Sequence, residues 1–369
     1  MDFRNLNEIS EIIMGQSPSS DSYNNENLGI PFFQGKSEFG TLNPIVKMYC
    51  TEPKKIAKPS DILMSVRAPV GDVNIANIEC CIGRGLCAIR SKANVNHKYL
   101  YYFLLTQKEY LENKSTGSTF KAINKNTVSE LLVPIMELDK QKKIVEILDI
   151  AQELIDKRKK QIEELDLLVK SKFIEMFGDP VINKKGWKVR ELLEVATLLN
   201  GRAYKQDELL DEGKTPVLRV GNFFSNRNWF YSDLELEEEK YCYNGDLLYA
   251  WSASFGPKIW DGDRVIYHYH IWKLVVDENK INKIYLYWIL NILTDFFKSN
   301  THGATMLHLT KVGMEKNKII LPSLDLQNQF AGLVKKVDKL KFEMEKSLKE
   351  LEDNFNSLMQ KAFKGELFQ

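Results

Sequence analysis

No apolar run in the chain approaches the roughly 20 residues that a bilayer-spanning helix needs. The opening Met1-Asp-Phe-Arg-Asn lacks the basic-then-apolar layout of a secretory signal, so a cytoplasmic location is expected. Cysteine is scarce: Cys50, Cys80, Cys81, Cys87 and Cys242 form an odd set with no C-x-x-C spacing. That excludes a recognisable zinc site and leaves buried or free thiols in a reducing compartment. Excess charge is missing too. The 369 residues carry 51 Lys+Arg against 50 Asp+Glu, a net charge of +1. Residues 1–138 hold 15 basic against 14 acidic side chains, and residues 187–323 hold 17 against 18. Whole-chain electrostatics therefore give no nucleic-acid signature, and any such affinity must come from local clustering or from partner subunits.

Catalytic signatures are also lacking. There is no G-x-x-x-x-G-K-[ST] phosphate loop, which excludes an ATP-driven motor of that type. Asn43-Pro44-Ile45-Val46 fails the last two positions of the Asn-Pro-Pro-aromatic motif of amino-methyltransferases. His268 and His270 would put two imidazoles on one strand face, but spacing supplies no third ligand. Polar readout or a structural role is the better account of them. Glu235–Glu239 reads as a solvated face. The chain is expected to catalyse nothing by itself and to hold no metal.

What is present is a duplication. Leu6 and Leu192, Gly15 and Gly201, Leu100 and Leu286, Tyr101 and Tyr287, Gly117 and Gly303, Thr119 and Thr305, and Gln141 and Gln327 all pair at an offset of 186 residues. So long a repeat suits two domains related by an approximate two-fold rather than a solenoid unit. Each half starts with a helix or turn, Asn7–Ile13 or Glu191–Leu199, that closes on Gly15 or Gly201. Strand-like runs follow at Ile30–Phe33 and Thr215–Val220, and buried strands at Asp61–Ser65 and Asp246–Ser252. Glycine loops come next, Val70-Gly71-Asp72 and Phe255-Gly256-Pro257. Amphipathic helices at Tyr99–Leu111 and Tyr285–Phe297 end in Thr116-Gly-Ser-Thr and His302-Gly-Ala-Thr. Leu131–Ile135 and Lys318–Leu321 read as closing strands. The fold class is α+β.

The two long helices are the clearest local pattern. A 4-3-4-3 spacing selects Ile144, Leu148, Ala151, Ile155, Arg158, Ile162, Leu165, Val169, Lys172 and Met176. The same register in the second copy selects Phe330, Val334, Val337, Lys341, Met344, Leu348, Leu351, Phe355, Leu358 and Ala362. Apolar seams between charged faces are the coiled-coil pattern. Each helix should run roughly 36 residues, about 54 Å. Two equivalent seams in one chain bury each other most simply as an antiparallel pair. Gly178-Asp-Pro180 ends the first helix. The expected organisation is a domain at 1–138, a helix at 139–178, a linker at 179–186, a second domain at 187–323 and a helix at 324–365.

These residues resemble the specificity subunit of type I restriction–modification systems over essentially the full chain. Leu138-Asp-Lys-Gln141-Lys-Lys-Ile144 and Leu324-Asp-Leu-Gln327-Asn-Gln-Phe330 look like that family's L-x-x-Q-x-x-I helix start. Phe173–Pro180 and Leu358–Leu367 look like its central and C-terminal helix ends, and Asp246–Gly256 is similar to a loop in one branch of its target-recognition domains. One departure is that the first copy begins at Met1 where the second has Trp187. The resemblance implies two target-recognition domains, each reading one half of a split site in double-stranded DNA, with the paired helices as a ruler. It further implies two DNA methyltransferase subunits docked on the scaffold, with restriction or translocase subunits beyond them. S-adenosylmethionine, ATP and Mg would sit on those partners and no cofactor on this chain.

Base readout needs Arg or Lys for guanine and Asn or Gln for adenine, carried on loops between strands. In the first domain these are Gln34, Lys36, Arg67, Arg84 and Lys121. In the second they are Arg219, Asn222, Arg227, Ser252, Ser254, Lys258 and His270. Helix–helix and subunit docking is expected at Ile144, Leu148, Ile155, Leu165, Phe330, Val337, Met344 and Leu351. The rival reading is a coiled-coil adaptor with duplicated protein-binding domains. It explains the helices and the neutral charge but not the recognition-type loops.

Overall fold

A computed structural model describes residues 2–117, 121–225, 228–252, 254–299 and 309–368. The chain divides into two compact units, residues 1–159 with 346–369, and residues 160–345. No helix among the described residues is long and apolar enough to cross a membrane.

Unit 1 begins with β1 (Asp2–Asn5), the helical turn α1 (Leu6–Ile9) and β2 (Ser10–Met14). Short strands follow: β3 (Tyr23–Asn24), β4 (Ile30–Phe33), β5 (Tyr49–Cys50), β6 (Ile56–Ala57), β7 (Ile62–Ser65), β8 (Val73–Ile75), β9 (Cys80–Ile82) and β10 (Leu86–Ser91). Helices α2 (His97–Thr106), α3 (Lys108–Lys114) and α4 (Lys125–Ser129) precede β11 (Leu132–Ile135) and the long helix α5 (Leu138–Phe177). The expected helix or turn at Asn7–Ile13 is in fact α1 followed by strand. Ile12 and Ile13 pair with Ile89 and Ala88 and so alternate between the two faces of the sheet. The helix expected over Tyr99–Leu111 breaks at Gln107 into α2 and α3.

Unit 2 repeats the plan. It holds β12 (Lys188–Glu191), β13 (Ala196–Asn200), β14 (Thr215–Leu218), α6 (Val220–Phe224), β15 (Phe230–Ser232) and β16 (Tyr241–Cys242). Then come β17 (Leu247–Ser252), β18 (Ser254–Ile259), β19 (Val265–Tyr267), β20 (Ile271–Val276), α7 (Lys283–Ser299), α8 (Lys311–Glu315), β21 (Lys318–Leu321) and α9 (Leu324–Lys364). The segment expected as a helix or turn at Glu191–Leu199 divides into a 3-10 turn at Leu192–Glu194 and β13. The expected glycine loop Phe255-Gly256-Pro257 is strand instead. Gly256, at φ 143°, pairs with Ala250 inside the β17–β18 hairpin. Thr119 and the stretch His302–Thr305 lie outside the described residues.

Each unit has an antiparallel four-stranded sheet, ordered β2-β10-β7-β8 or β13-β20-β17-β18. Against it stands a mixed sheet, β3-β5-β4-β9-β6 or β15-β14-β19-β16, with one parallel pair in each: β4 with β9 and β14 with β19. A two-stranded ribbon, β1-β11 or β12-β21, closes the chain against the start of a long helix.

The helix starts are anchored alike, with one added bond in unit 1, where Gln141 Nε2 also donates to the Asn94 carbonyl at 3.2 Å. Gln141 and Gln327 are fully buried. The Asn96 backbone N–H donates to Gln141 Oε1 at 2.9 Å, and Asn282 N–H donates to Gln327 Oε1 at 2.8 Å. Their amide nitrogens donate to the Met136 and Pro322 carbonyls at 2.9 and 2.8 Å. Asn96 and Asn282 in turn cap α2 and α7 by accepting from the Lys98 and Tyr99, or Ile284 and Tyr285, backbone N–H groups. The Tyr99 hydroxyl donates to the Pro134 carbonyl and that of Tyr285 to Ile320, at 2.7 and 2.8 Å.

Within each unit, segments of both long helices pack antiparallel. In unit 1, Ile144, Leu148 and Ile155 share a core with Phe355 and Ala362, and Lys159 pairs with Glu352 at 2.8 Å. In unit 2, Val169 and Phe173 share a core with Phe330 and Val334, and Lys341 pairs with Asp166 at 2.7 Å. The expected seam drifts at the end of α5. Phe173 and Phe177 are buried there rather than Lys172 and Met176, because two successive four-residue steps from Val169 take the seam off the 4-3 alternation. These rings close an aromatic cluster, with Phe173 stacked on Tyr285 at 5.6 Å and Phe177 edge-on to Tyr285 at 4.8 Å. Phe363 of α9 packs on Tyr99 at 5.3 Å in the same way. Each domain therefore receives the end of the other domain's helix.

Replacing Gln141 by Leu orphans the Asn96 N–H and the Met136 carbonyl. A loss of about 1–3 kcal/mol for each buried orphan is expected. Urea denaturation of Gln141→Leu and Gln327→Leu should show matching losses; unchanged midpoints would remove the anchoring role.

Candidate nucleic-acid interface

In both units the end of the parallel strand pair meets the turn into the next strand. In unit 1, Gly83 N–H donates to the Phe33 carbonyl at 2.8 Å, and Gln16 N–H to Ile82 at 3.0 Å. In unit 2, His268 N–H donates to Leu218 at 2.9 Å, and Arg202 N–H to Tyr267 at 2.9 Å. Gly15 and Gly201 permit this crossing, since a Cβ there would lie 2.1 Å from the Gly83 oxygen or 2.3 Å from the Tyr267 oxygen.

The unit 1 edge is closed and cationic. A Cβ on Gly85 would fall 2.3 Å from the Gln34 carbonyl, so the glycine turn Gly83–Gly85 lies flush against the end of β4. Val66 N–H donates to Gly85, Arg67 forms a bridge with Ala122, and Ala68 N–H donates to Lys121. Gln34, Arg84, Arg67 and Lys121 are thus brought to one contiguous edge, all of them exposed. The three cations have no carboxylate partner among the described residues, which supplies the local clustering that net charge concealed. Lys36 differs. It and Lys108 bind the two oxygens of Asp72 at 2.7 and 2.8 Å. Burial works against ionisation of Asp72, yet the two ammonium groups outweigh it and hold the carboxyl below its ordinary value.

Unit 2 opens a cleft of about 750 Å³ at the equivalent place, lined by Tyr204, Arg219, Asn222, Phe230, His268 and His270 among others. Arg219 lies over the Phe230 ring at 5.1 Å. Asn222 Oδ1 accepts from the Arg219 backbone N–H at 3.4 Å. His268 is buried. Burial first, then His270 and Arg219, bring its pKa down to about 4, so it is neutral near pH 7 and offers a hydrogen-bonding ring rather than a charge. Among the described residues no group of three His, Cys, Asp or Glu could hold a metal ion.

Two expected contact residues are placed elsewhere, and a third is not among the described residues. Ser252 is buried in the β17–β18 hairpin, whereas Ser254 across from it is exposed. Lys258 pairs with Leu248 at the base of that hairpin, away from the cleft, with its ammonium over Trp260 at 5.4 Å and 3.5 Å from Asp261. It lines a separate groove with Asp166, Tyr287 and Phe342. Arg227 lies outside the described residues. Conversely, Tyr204, Phe230 and Tyr269 reach the cleft without having been singled out. The signal for Tyr204 was its place just after Gly201; the others carry none, because only folding brings β15 beside the β19–β20 turn.

The family model for the type I restriction modification DNA specificity domain matches residues 1–166 and again residues 184–353. The chain belongs to that family. Its two specificity domains are the paired folds described above. The type I restriction enzyme MjaIX specificity subunit of Methanocaldococcus jannaschii is 26% identical, over 99% of this chain and 93% of the relative. Another protein of that organism is 45% identical over 157 residues, 42% of this chain. That match spans 37% of the relative's length, little more than a third. The crystal structure of a type I restriction–modification system S subunit from M. genitalium covers 98% of this chain and 96% of its own, with a TM-score of 0.54 at 18% identity, and so shares the fold.

Of the helix residues expected to dock, Ile144, Leu148, Ile155 and Phe330 are buried inside their own units and are not displayed to another subunit. Leu165, Val337, Met344 and Leu351 are half-buried. The most exposed apolar side chains on these helices are Ile150, Leu154, Leu167, Leu340 and Phe342, at 60, 48, 65, 50 and 65%.

A pH effect follows in the second specificity domain. The unfolded chain protonates His268 near 6.5 and the folded domain only near 4. His268 therefore costs nothing above pH 6.5, and stability is lost as pH falls from 6.5 towards 4. Thermal melting across that window should be less pH-dependent for His268→Asn than for the parent; parallel profiles would contradict this assignment.

Proposed function

We propose that this chain is the DNA sequence-specificity subunit of a type I restriction–modification complex. Each specificity domain, at about residues 1–138 and 187–323, reads one half of a bipartite site in double-stranded DNA. The observation that carries this reading is that one scaffold occurs twice with different side chains along the same edge: Gln34, Arg67, Arg84 and Lys121 in one unit, Arg219, Asn222 and His270 in the other. A protein that read two identical half-sites would need no such difference.

The division of labour follows from the chemistry. Exposed cations such as Arg67, Arg84 and Lys121 neutralise phosphates or reach guanine, while Arg219 and the Asn222 amide at the cleft of the second domain offer directional hydrogen bonds to base edges. In this reading the length of the long helices sets the spacer between the two half-sites. Domains reading the major groove from one face of B-DNA would engage half-site centres about one helical turn apart, roughly 34 Å. The exposed Ile150, Leu154, Leu167 and Phe342 provide apolar surface on which two methyltransferase subunits dock. Those partners bring S-adenosylmethionine and the adenine chemistry, and restriction subunits bring ATP and Mg. This chain chooses the site and performs none of the bond-making.

Arg67→Ala, in a complex with its modification subunits, should weaken recognition of one half-site by about 5- to 150-fold and leave the other half intact. Equal loss at both halves, read from methylated motifs across a genome, would contradict modular reading. Inserting helical residues at the level of Ala151–Lys160 and of the facing stretch around Glu352 should alter the spacer and not the half-site sequences.

A further inference from the structure

Sequence offset and spatial equivalence disagree at one informative place. At the 186-residue offset Gln34 is matched with Val220. The strand register matches it with Arg219. Phe33 pairs with Ile82 in the parallel ladder as Leu218 pairs with Tyr267. The following residues, Gly83 and His268, donate to the Phe33 and Leu218 carbonyls. Gln34 and Arg219 are therefore the first residues beyond equivalent strand ends.

At both positions the backbone N–H is taken by a side-chain oxygen a few residues further on. The backbone N–H of Gln34 is taken by Glu38 Oε2 at 3.1 Å, and that of Arg219 by Asn222 Oδ1 at 3.4 Å. Neither main chain is left to bind phosphate, so the side chain is what each position presents. The Gln34 amide is exposed and makes no hydrogen bond among the described residues. The Glu38 carboxylate beside it, which also accepts from Gly35 N–H at 2.8 Å, repels phosphate and tolerates donor-rich base edges. Arg219 has no carboxylate partner among the described residues, unlike Arg202, which pairs with Glu208 at 2.6 Å. Its guanidinium lies over the Phe230 ring at the cleft, 5.1 Å from the ring centroid.

We propose that Gln34 and Arg219 are one readout position used twice, Gln34 selecting an adenine in the half-site of the first domain and Arg219 a guanine in that of the second. This rests on the function proposed above. A carboxamide matches the donor and acceptor of adenine N6 and N7, and a planar guanidinium matches the two acceptors O6 and N7 of guanine. The domains thus differ in base preference by exchange of one side chain on a shared backbone.

The test is to express Gln34→Arg, Arg219→Gln and Arg219→Lys chains with the modification subunits and to sequence the methylated motifs. Gln34→Arg should convert one adenine to guanine in one half-site, and Arg219→Gln one guanine to adenine in the other half. Discrimination against the original base should fall by about 5- to 150-fold in each case, with the spacer unchanged. Arg219→Lys keeps the charge but loses the fork, and should relax the guanine position to any base. Unaltered motifs in the two exchange variants, changes falling in the same half-site, or an Arg219→Lys complex with the parental motif would each overturn the assignment while leaving the subunit's role intact. A bipartite motif that persists when this gene is deleted would instead overturn the function itself.

Discussion

The architecture turns on a buried primary amide at the start of each long helix. Gln141 and Gln327 have no access to solvent, and each bridges a backbone donor in the loop before a domain helix to a carbonyl at the end of the domain's closing ribbon. An amide offers both a donor and an acceptor on one planar group, which a carboxylate or an ammonium cannot do. Once buried, both must be satisfied, so only one orientation of the helix relative to the domain is cheap. The direction in which α5 and α9 leave their domains is set there, and the helix seams and the placement of each readout edge inherit it.

A second constraint converts that direction into dependence between the two halves of the sequence. Neither unit completes its core from its own repeat. Phe363 of α9 fills the place against Tyr99 in unit 1 that Phe177 of α5 fills against Tyr285 in unit 2. Deleting either helix end would open a cavity in the fold encoded at the other end of the chain. Such exchange keeps the scaffold common to both domains and leaves their outer edges free to diverge.

Divergence at those edges is a matter of small residues. Gly83 and Gly85 let the unit 1 turn lie against Gln34, whereas His268 and His270 hold the corresponding turn of unit 2 open over a cleft. A closed edge bearing Arg67, Arg84 and Lys121 presents charge. The open cleft presents one guanidinium lying over a ring, an amide and two imidazoles, of which that of His268 is neutral near pH 7. Two surfaces of such different character on one fold match the requirement that two unlike half-sites be read by a single polypeptide.

Much of this was legible from the residues alone. The seams of the long helices repeat with a helical spacing, and Gly15 with Gly201 and Gln141 with Gln327 stand out as pairs at the 186-residue offset; that the glycines lie at crossings no side chain fits and that the glutamines are buried is seen only in the fold. The seams and the offset pairs are local or periodic, and sequence displays period and spacing directly. The readout edge is neither. Whether Ser252 faces the core, whether Lys258 reaches a cleft or a groove, and whether Gln34 corresponds to Val220 or to Arg219 depend on pairing between strands distant along the chain. A slip of one residue in such a ladder moves every side chain to the opposite face. The sequence by itself determined the duplication and the helix pair; the tertiary structure alone decided what the glutamines anchor and which side chains share a surface, because strand register is a long-range property that no local pattern encodes.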